Sequence, residues 1–144
     1  MKLKIDNSNN LSERLHLVVA QETDFIHAQL SELGLNNQQA RLLKYVSEHP
    51  GTIQKDVAEY LNRQNATVTN MLKLMAKRGY IVRKIPADNE RQKQIFLEPK
   101  GEKLLGSINA TFASLEAEIE SAVPQKEQAA FIRNLERITK KLEQ

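Results

Sequence analysis

The stretch that decides the fold runs from Gly51 to Gly101 and reads GTIQKDVAEYLNRQNATVTNMLKLMAKRGYIVRKIPADNERQKQIFLEPKG. Two short runs with apolar residues at helical spacing come first, separated by a polar turn. Two short apolar runs follow on either side of PADNERQKQ, a pattern typical of a β-hairpin. This order predicts a helix-turn-helix followed by a hairpin wing, an arrangement that can place its second helix in the major groove of DNA.

Basic charge is concentrated in the same segment. Between Thr52 and Lys100 there are ten Lys and Arg residues against five Asp and Glu, whereas the rest of the chain has eleven basic and thirteen acidic residues. A surface that binds phosphates needs such a local excess of positive charge. The net charge of +3 and the pI near 9.2 agree with a double-stranded DNA partner.

The composition and the motifs argue against several other classes of protein. Cysteine is absent, which excludes disulfides, zinc fingers and thiol chemistry. No signal peptide and no run of about 18 apolar residues occurs, so we expect a cytoplasmic protein without a membrane partner. A glycine-rich phosphate loop, a nucleophile elbow and metal-ligand spacing of the histidines are also missing from the sequence. We therefore expect no enzymatic activity, no metal and no cofactor.

Apolar stripes flank the central segment. The first helix is predicted from about Leu11 to Leu33, and the second is capped by Asn36 or Asn37. After the hairpin, one helix begins near Pro99 and continues to the break at Pro124, and a last helix follows. The stripes are long for a core of about 50 residues to cover, which predicts association of two chains; a monomeric helical bundle is the alternative.

The predicted fold class is mostly α with a small β-hairpin, a winged helix-turn-helix with dimerisation helices at both ends. We assign residues 1–35 to an N-terminal dimerisation helix, 36–101 to the DNA-binding domain and 102–144 to C-terminal dimerisation helices. The predicted dimer interface consists of Leu11, Leu15, Val18, Leu115, Ile119, Phe131, Leu135, Ile138 and Leu142.

The fourth predicted helix, from about Gln64 to Gly79, has two different faces. Val68, Leu72 and Met75 lie on one side, while the other side carries a small residue, an amide, hydroxyls and an ammonium group. Such side chains can bind base edges, although a merely solvated helix face is the alternative. The DNA-binding residues predicted on this helix and the turn before it are Arg63, Gln64, Asn65, Ala66, Thr67, Thr69, Asn70 and Lys73.

Two further groups of residues are predicted to contact DNA. Gln54 and Lys55, at the start of the third helix, would bind phosphates and so position the protein without reading sequence. In the wing, a basic side chain can enter the minor groove, whose negative potential favours arginine. The wing residues predicted to contact DNA are Lys84, Asp88, Asn89, Arg91 and Lys93, with Arg91 in the minor groove. The alternative is a solvated hairpin in which Arg91 pairs with Asp88.

These stretches resemble the MarR family of winged-helix transcription factors. The matching sequences are QQARLLKYVSEHPG from Gln38, TIQKDVAEYLNRQNATVTNMLKLMAKRGYIVRK from Thr52, and LEPKGEKLL from Leu97. The resemblance implies a homodimer with interlocking terminal helices and a pseudo-palindromic operator. It also implies a repressor that is released by a small, often aromatic or anionic, effector.

The sequence departs from the family pattern in the wing. Members commonly have Asp two residues before the wing Arg and a Leu-Thr pair at the end of the second strand, whereas this chain has Asn89 and Glu98 at those positions. Winged helices also serve as protein-interaction modules, and such a module without sequence-specific DNA binding is the alternative function. The polar face of the fourth helix and the local positive charge favour DNA.

Overall fold

Helical periodicity and turn residues account for most of the elements in the computed structural model, which describes residues 10–88 and 92–143. The predicted class, mostly α with a small hairpin, is confirmed. The elements are α1 (Leu11–Leu30), α2 (Asn37–Glu48), α3 (Gln54–Leu61), α4 (Asn65–Lys77), β1 (Ile81–Lys84), β2 (Gln94–Leu97), α5 (Pro99–Glu102), α6 (Leu105–Ala122) and α7 (Gln125–Leu142).

The chain divides into two compact units, Met1–Thr111 and Phe112–Gln144. The core of the first unit draws on every helix from α1 to α4, both strands and the start of α6. Its fully buried large side chains are Ile26, Leu30, Leu42, Leu43, Val46, Val57, Val68, Leu72, Met75, Ile95 and Ile108. Burying one such side chain stabilises a fold by roughly 1.5–3 kcal/mol, so this core holds α4 firmly at the surface of the unit.

The loop residues Gly51 and Thr52 pair with β2 of the hairpin, a contact that the sequence did not predict. Strands β1 and β2 pair antiparallel, with Arg83 opposite Ile95. The backbone N–H of Ile95 also donates to the carbonyl of Thr52 at 2.8 Å, and the N–H of Gly51 donates to the carbonyl of Ile95 at 2.9 Å. The wing is thereby fastened to the loop that leads into α3.

Two predicted helix boundaries were wrong. The first helix ends at Leu30 rather than Leu33, because Ser31–Leu33 forms one 3-10 turn that ends at Gly34 in a left-handed conformation with φ of 71°. The helix predicted to continue from Pro99 is interrupted after Glu102, where the N–H of Leu104 donates to the carbonyl of Gly101 at 3.0 Å in a tighter turn. Glycine has a low helix propensity, and Gly101 is buried against the backbone of Tyr80.

None of the helices in the part of the chain that the structure describes is long and apolar enough to cross a membrane.

The start of α2 offers a first test of how local sequence stabilises this fold. Asn36 accepts a hydrogen bond from the N–H of Gln39 at 2.8 Å, and the Gln39 side chain accepts one from the N–H of Asn36 at 3.0 Å. This reciprocal capping box satisfies two N–H groups that the helix leaves open. We expect Asn36→Ala to lower the free energy of unfolding by about 1 kcal/mol in urea titrations.

Asn36→Ser is the matched control, because serine caps helices about as well as asparagine. A serine variant as unstable as the alanine variant would contradict the assigned role of the cap.

Candidate nucleic-acid interface

Helix α4 presents a polar side to solvent. Val68, Leu72 and Met75 are completely buried, and they hold one side of the helix against the core. The opposite side is exposed and carries Ala66, Thr67, Asn70, Lys73 and Lys77. The structure thus brings together on one surface most of the residues predicted to read bases.

Thr69 differs from these exposed residues because it is half-buried and its side chain contacts α3. The amide nitrogen of Gln54 donates to the Thr69 hydroxyl at 2.7 Å and to the carbonyl of Asn65 at 3.2 Å. The Thr69 hydroxyl in turn donates to the same Asn65 carbonyl at 2.9 Å. Because these groups are engaged with one another, Gln54 and Thr69 orient α4 on α3.

The turn between α3 and α4 is built on a left-handed residue. Asn62 has φ of 53°, a conformation that asparagine tolerates better than most residues. The N–H of Arg63 donates back to the carbonyl of Ala58 at 3.1 Å, and Arg63, Gln64 and Asn65 are exposed. The N-cap residue Gln64 makes no side-chain hydrogen bond to the first turn of α4, and N–H groups at the start of a helix attract anions.

The two basic residues of β1 lie on opposite faces of the hairpin. Lys84 has its ammonium nitrogen 5.2 Å from the centre of the Phe96 ring, in a cation–π contact. Arg83 is half-buried. It lies two residues after Ile81 and therefore on the same face of the strand, and Ile81 packs into the core. Lys84 was predicted to contact phosphate, and this contact stays a prediction.

Arg83, Lys55 and Lys93 line one cleft. This cleft lies between α3, α4 and the wing and has a volume of about 450 Å³. Arg83 was not among the residues predicted to contact DNA. The sequence feature that could have identified Arg83 is the strand alternation of β1, which puts Ile81 and Arg83 on one face and Val82 and Lys84 on the other.

The tip of the wing is described only in part. Asp88 is exposed in a turn and Lys93 is exposed just before β2. Asn89 and Arg91 lie outside the described residues, so their predicted contacts stay predictions. Among the residues that the structure describes, no group of three His, Cys, Asp or Glu side chains could hold a metal ion.

The residues predicted to form a dimer interface remain largely accessible in the single chain. In the first unit, Leu11 is 76% exposed and Val18 is 47% exposed, whereas Leu15 is half-buried. In the second unit Leu115, Ile119 and Ile138 are half-buried, and the other three members of the set, Phe131, Leu135 and Leu142, are exposed.

Comparison with known proteins agrees with this architecture. The model of the MarR family matches residues 35–93. The HTH-type transcriptional regulator YwoH of Bacillus subtilis (strain 168) is 27% identical over 103 residues, which span 72% of this chain and 74% of YwoH. The transcriptional regulator HosA of Escherichia coli O157:H7 is 26% identical over 98 residues, or 68% of this chain and 73% of HosA.

Solved structures extend the similarity over nearly the whole chain. The crystal structure of the S. aureus MepR–DNA complex is similar to this chain with a TM-score of 0.88 at 25% identity, covering 92% of this chain and 98% of that chain. A helix-turn-helix followed by a hairpin wing is the winged-helix arrangement. Residues 35–93 thus match the MarR family, and the chain as a whole is similar to transcriptional regulators with this fold.

Proposed function

We propose that the protein binds a specific double-stranded DNA sequence as a homodimer and represses transcription from it. The observation that carries the proposal is the exposed polar side of α4, opposite a side that the core buries completely. A helix held in this way can enter the major groove with its polar side while its apolar side stays buried in the core. Such a regulator acts in the cytoplasm, where its DNA is.

The chemistry of α4 supports recognition of bases. Asn70 can form two hydrogen bonds with adenine, Lys73 can reach guanine or a phosphate, and Thr67 can contact a base edge or a thymine methyl group. Ala66, in the first turn, is small enough for the helix to approach the bases closely. Arg63 and Gln64 flank this surface and would contact phosphates, which positions the helix without reading sequence.

The similarity to MepR supports DNA as the partner. MepR was solved in complex with DNA, and a second structure of MepR in a DNA-binding conformation has a TM-score of 0.85 with this chain. The wing contributes to the proposal through Arg91 and Asn89, which we expect near the minor groove.

The exposed apolar residues of α1 and α7 support a homodimer. In α7, Phe131, Ile132 and Leu142 are 49%, 55% and 71% exposed. Apolar stripes of this kind are usually covered by another helix. Two copies of α4 in one dimer would then read two half-sites of a pseudo-palindromic operator.

The proposal includes an effector that releases the DNA. A cavity of about 430 Å³ lies between α2, β2, α5 and the start of α6, and Val46, Phe96, Leu97 and Leu105 make most of its lining apolar. Its charged lining residue is Glu102, and a carboxylate repels an anion. This cavity therefore favours an uncharged or cationic aromatic effector over the anionic one that the family resemblance implies.

Selection of bound duplexes from a random DNA pool tests the proposed function directly. We expect one pseudo-palindromic sequence to be enriched. On that sequence Asn70→Ala should cost about 1–3 kcal/mol of binding free energy and relax the preference at one base position, as measured by fluorescence anisotropy. Binding to random duplex should change little, because Asn70 contacts bases in this proposal.

Asn109→Ala is the control, since Asn109 is also exposed on a helix, α6, but lies outside the proposed interface. If the wild-type protein enriches no sequence, the protein-interaction module becomes the better assignment.

A further inference from the structure

We infer that the cleft between α3, α4 and the wing binds one backbone phosphate of the DNA, and that Arg83 is the principal residue that holds it. The inference rests on the proposed function, which it deepens by naming a contact that the sequence did not predict. Within β1, we assign the phosphate contact to Arg83 instead of Lys84, for which that contact was predicted from the sequence.

The cleft has the composition of an anion site. Its rim carries Lys55, Arg83 and Lys93 together with the polar side chains of Gln54, Asn65 and Gln92, and none of the Asp and Glu residues that the structure describes lines it. Its apolar lining consists of Ile53, Leu72 and Ile95. Apolar walls lower the local dielectric constant, so a charge in the cleft interacts more strongly with the cations than it would in bulk water.

The three cations of the rim are not paired with any acidic residue that the structure describes. Within residues 10–88 and 92–143, Lys55, Arg83 and Lys93 make no ion pair and no hydrogen bond with another side chain. Like charges gathered around one cleft repel each other, and an anion bound among them removes that repulsion.

Arg83 is the best placed of the three side chains. It is half-buried and opposite Ile95 in the hairpin, and Ile95 is itself bonded to Thr52 in the loop before α3. The guanidinium group is thus carried by a strand that is bonded to the loop before α3, whereas Lys93 precedes its strand. A guanidinium also offers paired N–H donors that match two phosphate oxygens.

The position of the cleft identifies the phosphate as one from DNA. Asn65, the first residue of α4, and Gln54, the first residue of α3, both line it. The cleft therefore lies beside the helix that would enter the major groove, where a phosphate of the flanking strand passes. Free inorganic phosphate has the same chemistry, so the experiment must separate the two sources.

Arg83→Ala and Lys84→Ala form a matched pair for the test. They remove the same charge from adjacent positions of one strand, but only Arg83 lines the cleft. With duplex DNA in a salt titration, we expect Arg83→Ala to reduce the slope of log K against log salt by about one and to weaken binding about tenfold. The loss should be equal on specific and random duplex, and Lys84→Ala should leave the slope nearly unchanged.

Arg83→Lys provides a second variant with little risk to folding. Because lysine keeps the charge and loses the paired donors, this variant should retain the salt slope and lose part of the affinity. A duplex in which single phosphates are replaced by uncharged methylphosphonates then locates the contact. We expect wild-type binding to weaken at one position in each half-site, and Arg83→Ala to be insensitive at that position.

The outcomes separate the inference from the proposed function. If wild-type protein binds no duplex, the proposed function fails and this inference with it. If wild-type protein binds and Arg83→Ala behaves like Lys84→Ala, only the inference fails. If inorganic phosphate binds the wild type and not Arg83→Ala, while both have the same salt slope on DNA, the cleft holds a free anion and the DNA contact is wrong.

Discussion

Gly101→Ala is expected to destabilise the first unit by about 3 kcal/mol or more, a large part of the 5–15 kcal/mol that stabilises a typical domain. A Cβ atom at Gly101 would overlap the carbonyl oxygen of Tyr80 and lie 3.0 Å from its carbonyl carbon. The obstructing atoms belong to the backbone, so no side-chain rotation can relieve the overlap. The Gly101 position thus requires the absence of a side chain.

The backbone of Tyr80 is itself held on both sides. Its carbonyl accepts from the N–H of Glu98 at 2.9 Å, and its N–H donates to the carbonyl of Met75 at 3.0 Å. Moving Tyr80 away from an alanine would therefore disturb the end of α4 and the start of β1 together. We expect the loss of stability to appear as a lower midpoint in urea, followed by circular dichroism.

Gly106→Ala is the matched control for this prediction. Gly106 is also in a helix, α6, and nothing lies within 4 Å of a Cβ built there. Because alanine is the better helix former by about 1 kcal/mol, this variant should be as stable as the wild type or more so. Equal stabilities of the two alanine variants would contradict the close packing at Gly101.

Replacing both Phe131 and Leu135 with Glu is expected to convert the protein to a monomer. Burial of an apolar side chain contributes roughly 1.5–3 kcal/mol, and a homodimer would bury both residues twice. The two glutamates would also place charge of one sign on the apolar stripe of α7. Sedimentation at micromolar concentration should show the monomer mass, with the helical content of the chain retained.

Loss of the dimer should also weaken operator binding by about a hundredfold or more. When two DNA-binding domains are joined, the second binds at a high effective concentration, which can raise the combined affinity by a factor of 10²–10⁴. Binding to a single half-site should be nearly unchanged, since α4 and the wing remain intact.

Ala129→Glu is the control, because Ala129 lies on the opposite side of α7 by helical geometry and is exposed. A double variant that still sediments as a dimer would show that the stripe of α7 is not the interface.

Local sequence was sufficient for the main elements of the proposed interface. The apolar spacing of Val68, Leu72 and Met75 predicted which side of α4 is buried, and the opposite side is exposed as expected. Asn36 was one of two predicted caps, and it forms the capping box of α2. These features depend on residues within a few positions of each other, so helical and strand periodicity predict them well.

Features that depend on residues far apart in the chain were not predictable in this way. The contact of Gln54 with Thr69 joins residues fifteen positions apart. Both residues were predicted to bind DNA, and this contact shows that they also orient α4. Charge alone does not distinguish two adjacent basic residues, so Lys84 was predicted to contact phosphate and Arg83 was not. Strand alternation separates them only when the face that packs on the core is known.

The sequence by itself determined the winged helix-turn-helix, the polar side of α4 and the concentration of positive charge in the central segment. Periodicity and turn residues specify these properties locally. The tertiary structure decided that the wing is bonded to the loop before α3, that Arg83 rather than Lys84 lines the cleft, and that α5 ends after Glu102. Each of these depends on which distant backbone lies alongside, as Thr52 does at Ile95 and Tyr80 does at Gly101. Only packing of the whole chain brings those segments together.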